Sequence, residues 1–340
     1  MSEPVTATNP NEMGEREAMG LPEAFVDRID RMRYQKECAQ LASRSPEQLA
    51  VTAGDPALPH LTRFAAGSLL ALLGDPRIDV WSPEMVDVPG GTATIGLRAE
   101  HVDAVVAKFA AVGVVREWIE KEVPAHPVEL APYRMARYPV TNLEYRAFLL
   151  ENPGTPPPTS WTFGAYPAER ANHPVWTVTP EDADAYAAWL SARTGRAFRL
   201  PTEDEWEHAA AGPGGRTYPW GERMAEDCAN TVETGPLTTT PVGVHPAGRG
   251  PFGTDDMAGN VEEYVADDYR PYPGGTAVAD DLLRSGAGYR VARGGSFTRY
   301  ADLARCRRRH GWYRKPMYAM GFRLAETPGT PAPAEGAARP

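Results

Sequence analysis

The sequence predicts an α+β protein rich in irregular structure, preceded by a short helical extension. Among its 340 residues are 32 glycines and 34 prolines, which favour turns and keep regular elements short. Stretches with helical spacing and stretches typical of strands occur together along the chain. A composition of 42% hydrophobic and 24% charged residues suffices for a core without disulfides.

The N-terminal part is expected to contain two helices. Residues 1–20 are polar and are predicted to be disordered, and residues 21–84 form the extension. Apolar residues recur at roughly helical spacing between Pro22 and Ser45. A second helix is predicted at Leu61–Leu73, where Gly74 stops an Ala- and Leu-rich run.

The next segment is predicted to contain a hairpin, a helix and a strand. Met85–Ile95 has apolar residues on both sides of Pro-Gly-Gly, which is typical of a hairpin. Valines repeat at three and four within His101–Lys121, which indicates a helix. His126–Leu130 is expected to form a short strand.

Three further helices have clear start signals, in which a threonine precedes an acidic or proline-led first turn. Turns and short strands are predicted from the third helix to Ala325, and residues 326–340 are predicted to be a disordered tail. The first helix starts at a capping box of Thr141 and Glu144. The second starts at Thr179 and Pro180 and ends at Gly195, and the third starts at a capping box of Thr202 and Glu205 and ends at Gly212.

Charge and cysteine content exclude several classes of protein. A net charge of -10 argues against a nucleic-acid partner bound through its phosphates. No run of 18 apolar residues is present, so no membrane partner is expected, and the start lacks the pattern of a secretory signal. Cys38, Cys228 and Cys306 are odd in number and far apart, which favours the reducing cytoplasm.

Seven short motifs follow one another along the main part of the chain. The motifs are Arg137-Tyr-Pro-Val-Thr-Asn142, Arg199-Leu-Pro-Thr-Glu-Asp-Glu-Trp-Glu207, Tyr218-Pro-Trp-Gly221, Thr240-Pro-Val-Gly243, Asp256-Met-Ala-Gly-Asn-Val-Glu-Glu-Tyr264, Arg293-Gly-Gly-Ser296 and Gly321-Phe-Arg323. In this order and spacing they resemble the formylglycine-generating-enzyme family, also called the sulfatase-modifying-factor family. The resemblance covers residues 85–325 and implies a single domain with a C-type-lectin-like core.

Because this fold hosts several functions, the resemblance leaves three readings open. The first is an oxidoreductase that uses a non-haem metal and O₂ on an amino-acid-like or peptide substrate, in secondary metabolism. The second is a non-catalytic, lectin-like module that binds a ligand or a protein. The third is genuine formylglycine generation. The sequence does not indicate the substrate, the oligomeric state or the role of the N-terminal helices.

Copper binding, as the resemblance implies it, needs two cysteines spaced C-x4-C. Matching Cys306-x-x-Arg309 to the family pattern puts Cys306 on the second cysteine and Ala301 on the first. A lone thiolate is a poor site for Cu(I). Cys306 is therefore a catalytic candidate without its partner, and the alternative is that it packs in the core.

An iron site, as the resemblance implies it, takes three histidines supplied mostly by an N-terminal helical bundle. Here His60 alone precedes residue 85. His310 is the second catalytic candidate: if residues 306–310 form a strand, Cys306 and His310 share a face, with Arg308 between them. The alternative is a lone groove histidine.

The residues around His310 are the predicted binding site. Arg299 or Arg308 can grip a carboxylate through paired hydrogen bonds, and Tyr300 and Trp312 complete the site. The alternative is that the arginines pair with acidic side chains of the chain itself.

Calcium is the other cofactor that the resemblance implies. Its ligands would be Asp256, the carbonyls of Gly259 and Val261, and Glu263, an oxygen-only set of the kind Ca²⁺ prefers. The alternative is that these side chains tie loops together by hydrogen bonds.

Overall fold

The computed structural model describes residues 10–284 and 288–331. Helices and strands alternate irregularly along them. The helices are α1 Glu15–Ala18, α2 Arg31–Leu41, α3 Pro46–Ala53, α4 His60–Leu73, α5 Val102–Phe109, α6 Arg116–Glu120, α7 Asn142–Glu151, α8 Pro180–Thr194, α9 Glu203–Ala211 and α10 Asp281–Arg284. The strands are β1 Met85–Val88, β2 Gly91–Ile95, β3 His126–Leu130, β4 Tyr133–Ala136, β5 Arg196–Arg199, β6 Glu262–Asp268, β7 Arg290–Arg293, β8 His310–Gly311, β9 Met320–Phe322 and β10 Ala325–Pro331.

The N-terminal extension contains one more helix than the sequence predicts. The helix at His60–Leu73 is confirmed, but the one predicted from Pro22 begins only at Arg31, because Asp30 caps it. The helix at Pro46–Ala53 was missed, although Ser45 and Gln48 form a capping box at its start.

The extension packs on the main domain through α4. The Arg63 side chain is buried and its Nε donates to the Val244 carbonyl at 2.9 Å. The Asn172 amide donates to the Gly67 carbonyl at 2.9 Å, and a Cβ added at Gly67 would lie 2.7 Å from Pro241. Helix α4 therefore covers a surface of the main domain.

The predicted hairpin at residues 85–95 is wrong. Strand β1 pairs with β4 and strand β2 pairs with β3, both antiparallel, so the two strands lie in different sheets. The Pro-Gly-Gly segment turns the chain from one sheet to the other, and Gly90 sits where a Cβ would overlap the backbone of residues 130–132.

The three capped helices are confirmed as α7, α8 and α9. Thr141 and Thr202 form complete capping boxes, and Gly195 ends α8 in the left-handed conformation. The helix predicted over 101–121 is interrupted, because Gly113 has a φ of 80° and Val115 is extended, which leaves α5 and α6 as separate helices.

A four-stranded sheet in the order β8-β7-β6-β9 positions the candidate site. In β6 the adjacent residues Glu262 and Glu263 lie opposite Met320 and Gly321 of β9. Since successive side chains of a strand point to opposite faces, these two glutamates serve different parts of the molecule.

Both predictions of disordered ends fail where the structure describes them. Within residues 1–20, residues 10–20 include α1 and lie against the main domain, while residues 1–9 are outside the described residues. In the tail, Ala325–Pro331 forms β10, which pairs with β4 and β5, and residues 332–340 are not described. No helix among the described residues has the length and apolar character needed to cross a bilayer.

Candidate functional site

The candidate site is a small cavity of about 60 Å³ beside the β8 edge of the sheet, and both polar and apolar side chains line it. Four predicted site residues line it together: Arg299, Tyr300, Arg308 and His310. The remaining lining side chains with polar groups include Lys121, Asp280, Thr298, Asp302 and Tyr318, together with Asn11 from the N-terminal segment.

His310 and Glu262 form a hydrogen-bonded pair in this cavity. His310 Nδ1 lies 2.6 Å from Glu262 Oε2, and Glu262 is fully buried. Burial lowers the pKa of His310 to about 4. Burial alone would raise the pKa of Glu262, but His310 and Arg299 hold it below its usual value. The neutral imidazole therefore carries its proton on Nδ1, and this N–H donates a hydrogen bond to the carboxylate, which leaves the lone pair on Nε2.

Arg299 is buried but incompletely paired. Only 6% of it is exposed, and its Nε donates to Glu262 Oε1 over 3.3 Å, a long bond for a charged pair. Its guanidinium lies over the Tyr318 ring at 4.1 Å, and Tyr318 stacks on His310 with ring centroids 5.3 Å apart. Arg299 Nη2 is buried without a hydrogen-bond partner among the described residues. A buried donor of this kind is available to a ligand oxygen.

Two more ion pairs line the same cavity. Arg308 Nε lies 3.5 Å from Asp302 Oδ2, and Arg308 Nη1 donates to the Trp118 carbonyl at 3.1 Å. Lys121 Nζ lies 2.5 Å from Asp280 Oδ2, and burial, opposed by Asp280, lowers the pKa of Lys121 to about 8. The cavity wall therefore carries both positive and negative groups.

A larger open groove of about 1190 Å³ adjoins the cavity, and Tyr318 and Leu282 line both. Aromatic rings and three cations dominate it. The predicted binding residue Trp312 lies in this groove and is 51% exposed, rather than in the cavity with Arg299. The other aromatic and cationic lining residues are Trp176, Tyr264, Tyr289, Tyr313, Arg290, Arg314 and Lys315.

Cys306 lies apart from the cavity, which corrects the predicted geometry. Residues 306–310 are not one strand, since β8 spans only His310–Gly311. The Cys306 side chain is fully buried in an apolar cluster with Trp206 and Met257, and burial raises the pKa of its thiol to about 12. Its environment is that of a packed residue, which is the alternative that the sequence left open.

In the segment predicted to bind calcium, the carboxylates already accept hydrogen bonds from other groups of the protein. Both oxygens of Glu263 lie 2.6 Å from Arg323 nitrogens, and Trp206 Nε1 also donates to Oε2 at 2.7 Å. Asp256 Oδ2 accepts from the Gly243 amide at 2.6 Å, and burial raises the pKa of Asp256 to about 7. With Glu263 saturated, the set Asp256, Gly259, Val261 and Glu263 does not fit Ca²⁺ as arranged here, and the geometry favours the loop-tying alternative.

Iron or copper also lacks a matching donor set. Within residues 10–284 and 288–331, no three His, Cys, Asp or Glu side chains are grouped so that they could hold a metal ion. Ala301 stands where the copper pattern needs a thiol, and the three cysteines are unpaired. Neither a dithiolate nor a three-ligand iron centre can be assembled from these side chains.

Sequence reasoning missed Glu262, Lys121 and Asp280 as members of the site. One signal was available for Glu262: it adjoins Glu263 in a region of predicted short strands, and adjacent side chains of a strand point to opposite faces. Lys121 and Asp280 are 159 residues apart, and only the folded chain brings them together.

The comparisons with known proteins agree with this fold. Residues 75–328 match the model of the sulfatase-modifying factor enzyme 1-like domain. PvdO from Pseudomonas aeruginosa shares the architecture, with a TM-score of 0.56 and 28% identity over 72% of this chain and 95% of that chain. Treponema denticola variable protein 1, at a TM-score of 0.51 and 22% identity, supports the fold alone.

Among curated relatives, a hercynine oxygenase of Mycolicibacterium thermoresistibile is 34% identical over 55% of this chain and 49% of its own length. The inactive C-alpha-formylglycine-generating enzyme 2 of Mus musculus is 29% identical over 77% of this chain and 93% of its own. The chain spans about half the length of the hercynine oxygenases that it matches.

Proposed function

Since the chain belongs to the sulfatase-modifying factor family, we propose that it is a formylglycine-generating-enzyme-like oxidoreductase that acts on a small amino-acid-like compound. The compound binds in the cavity around Arg299 and His310. Fold alone does not assign this activity, so the proposal depends on what the cavity's side chains can do.

The observation that carries the proposal is the unpaired nitrogen of Arg299. Nη2 is buried and has no partner among the described residues, and Arg299 is one of the residues that line the cavity. Leaving a charged donor buried and unpaired costs free energy, which a ligand carboxylate would recover. An α-carboxylate is the group that an amino-acid-like compound brings.

The pair of His310 and Glu262 would orient a polar group of the compound. With Nδ1–H directed to Glu262, the Nε2 lone pair is free to accept a hydrogen bond from a bound ammonium, imidazole or thiol group. Because burial lowers the pKa of His310 to about 4, the imidazole stays neutral in this role. Tyr318, stacked on the imidazole, holds the ring in its orientation.

A redox metal would supply O₂ chemistry in an enzyme of this class, but the described donor set does not fit one. The roles that we assign to the chain's own residues are therefore the binding and the orientation of the compound. The names of the hercynine oxygenase relatives support an amino-acid-like substrate for this chain.

The second candidate is a non-catalytic binding module. The lack of a three-ligand cluster among the described residues favours it, as does the mouse relative named as inactive. The same cavity and groove would then recognise a ligand without converting it.

A ligand panel with an oxygen electrode separates the two candidates. Wild type and Arg299→Gln are screened by thermal shift against histidine, hercynine, cysteine and a short cysteine-containing peptide, with and without Fe(II) or Cu(I). Oxygen uptake that requires one of these compounds establishes the enzyme. A shift in Tm without uptake establishes the binding module. If no compound shifts the Tm, or if each shifts Arg299→Gln equally, the site assignment is wrong.

A further inference from the structure

The N-terminal segment of residues 10–21, here called the strap, lies across the cavity. Asn11 Oδ1 accepts from the Tyr318 hydroxyl at 2.5 Å, and Lys315 Nζ donates to the carbonyls of Met13 at 2.6 Å and Pro10 at 3.4 Å. Pro10, Asn11 and Ala18 belong to the cavity lining. The strap therefore supplies one wall of the site.

A few apolar contacts seat the strap. Met13 is only 8% exposed, and Ala18 and Met19 pack against the main core. Gly20 adjoins Tyr300 so closely that an added Cβ would overlap the Tyr300 hydroxyl. Tyr300 and Tyr318, both cavity residues, are thus both covered by the strap.

The closed cavity is too small for the proposed substrate. Its volume is about 60 Å³, while a single water occupies about 30 Å³ of liquid and ligand pockets usually measure about 300 Å³ or more. With the strap in place the cavity accommodates only a very small molecule. The groove of about 1190 Å³ that adjoins the cavity offers much more space.

The strap is also weakly held in comparison with the rest of the extension. Its regular structure is the four-residue helix α1, whose residues are all at least partly exposed. Its polar bonds to the main domain include those of one lysine and one tyrosine. Short segments with few buried apolar contacts open at low free-energy cost.

We propose that the strap is an autoinhibitory gate: it excludes the ligand when seated and must leave the cavity before the ligand binds. This rests on the function proposed above. The apparent affinity for ligand is then reduced by the fraction of molecules whose strap is open. Releasing the strap should strengthen binding, whereas a lid that closes over bound ligand would show the opposite.

The test is a strap-releasing variant of the full chain, Met13→Asp combined with Lys315→Ala. It places a charge in the buried Met13 site and removes the Lys315 bonds. The control is Glu12→Ala, because Glu12 is exposed on the same segment. Trypsin cleavage after Arg16 reports strap release, and mass spectrometry of His310 after diethyl pyrocarbonate treatment at pH 7 reports access to the cavity.

We expect the double variant to be cleaved faster and His310 to be modified several-fold faster than in wild type, with Glu12→Ala unchanged. The apparent Kd for hercynine or histidine should fall by a similar factor. Faster cleavage without faster His310 modification would overturn the gate, as would a strap that stays resistant in the double variant or a Kd that rises. Faster modification with no binding by any variant would refute the proposed ligand and leave the gate standing.

Discussion

Two neighbouring glutamates on strand β6 face two different environments. Glu263 pairs with Arg323 through two 2.6 Å contacts and also accepts from Trp206. Glu262 meets the His310 ring at 2.6 Å and Arg299 at 3.3 Å. All three nitrogens of Arg323 have partners, whereas Arg299 Nη2 has none among the described residues.

This comparison distinguishes buried charged side chains that only stabilise the fold from those that remain able to bind a ligand. A buried ion whose hydrogen bonds are all satisfied inside the protein has no capacity left for a ligand. Arg309 is a second example of the satisfied kind: Nε and Nη2 donate to Glu203 at 2.7 and 2.8 Å, Nη1 donates to the Lys121 carbonyl, and Nη2 also donates to the Arg270 carbonyl. Arg299 belongs to the other kind, and it lines a cavity.

We expect the largest change in the stability of the variant Arg323→Ala. Arg323→Ala leaves Glu263 buried without its cation, so we expect a loss of about 3–5 kcal/mol in the free energy of unfolding. Urea denaturation measures it. Arg116→Ala, at an exposed ion pair, is the control and should not change the midpoint. A loss no larger than that of the control would show that the saturated pair is not structural.

The next effect is on ligand binding. Arg299→Gln removes the charged donor that we assign to the ligand carboxylate, so affinity should fall by about 10-fold to 100-fold, which corresponds to about 1.5–3 kcal/mol. Calorimetric titration measures this change. The free energy of unfolding should drop by less than for Arg323→Ala, and the reverse order would contradict the assignment.

A smaller effect is a pH dependence due to His310. Its pKa is lowered to about 4 in the folded chain, against about 6.5 when unfolded, so the unfolded chain binds more protons between these values. Stability should therefore fall as pH falls from about 6.5 towards 4, by at most about 1.4 kcal/mol for each pH unit. His310→Gln should flatten the slope in urea titrations between pH 7 and 5, and an unchanged slope would contradict the shift.

The smallest effect concerns Cys306. Cys306→Ala removes a packed sulfur and should cost about 1 kcal/mol of stability while leaving ligand affinity and any oxygen uptake per folded molecule unchanged. A complete loss of oxygen uptake with normal folding would restore Cys306 as a catalytic residue.

Local signals predicted local structure well. The threonine caps located α7, α8 and α9, and the ordered motifs indicated the family. The local sequence does not determine which distant strands pair, and for this reason β1 and β2 were wrongly predicted to form one hairpin. Arg299, Tyr300, Arg308 and His310 were predicted together because they are close in sequence, and the fold places all four in the lining of one cavity. Glu262, Lys121 and Asp280 were missed because they reach the cavity only through sheet pairing and loop packing.

The most direct test of the account is a side-by-side comparison of Glu262→Gln and Glu263→Gln. Both substitutions keep the shape of adjacent side chains and remove one charge. With the compound that binds wild type most tightly, we predict that Glu263→Gln loses more stability but keeps its affinity in the folded fraction. Glu262→Gln should lose affinity with the smaller loss of stability. Equal losses of affinity in both variants, or none in Glu262→Gln, would contradict our central claim, which is that Glu262 serves the ligand site and Glu263 only stabilises the fold.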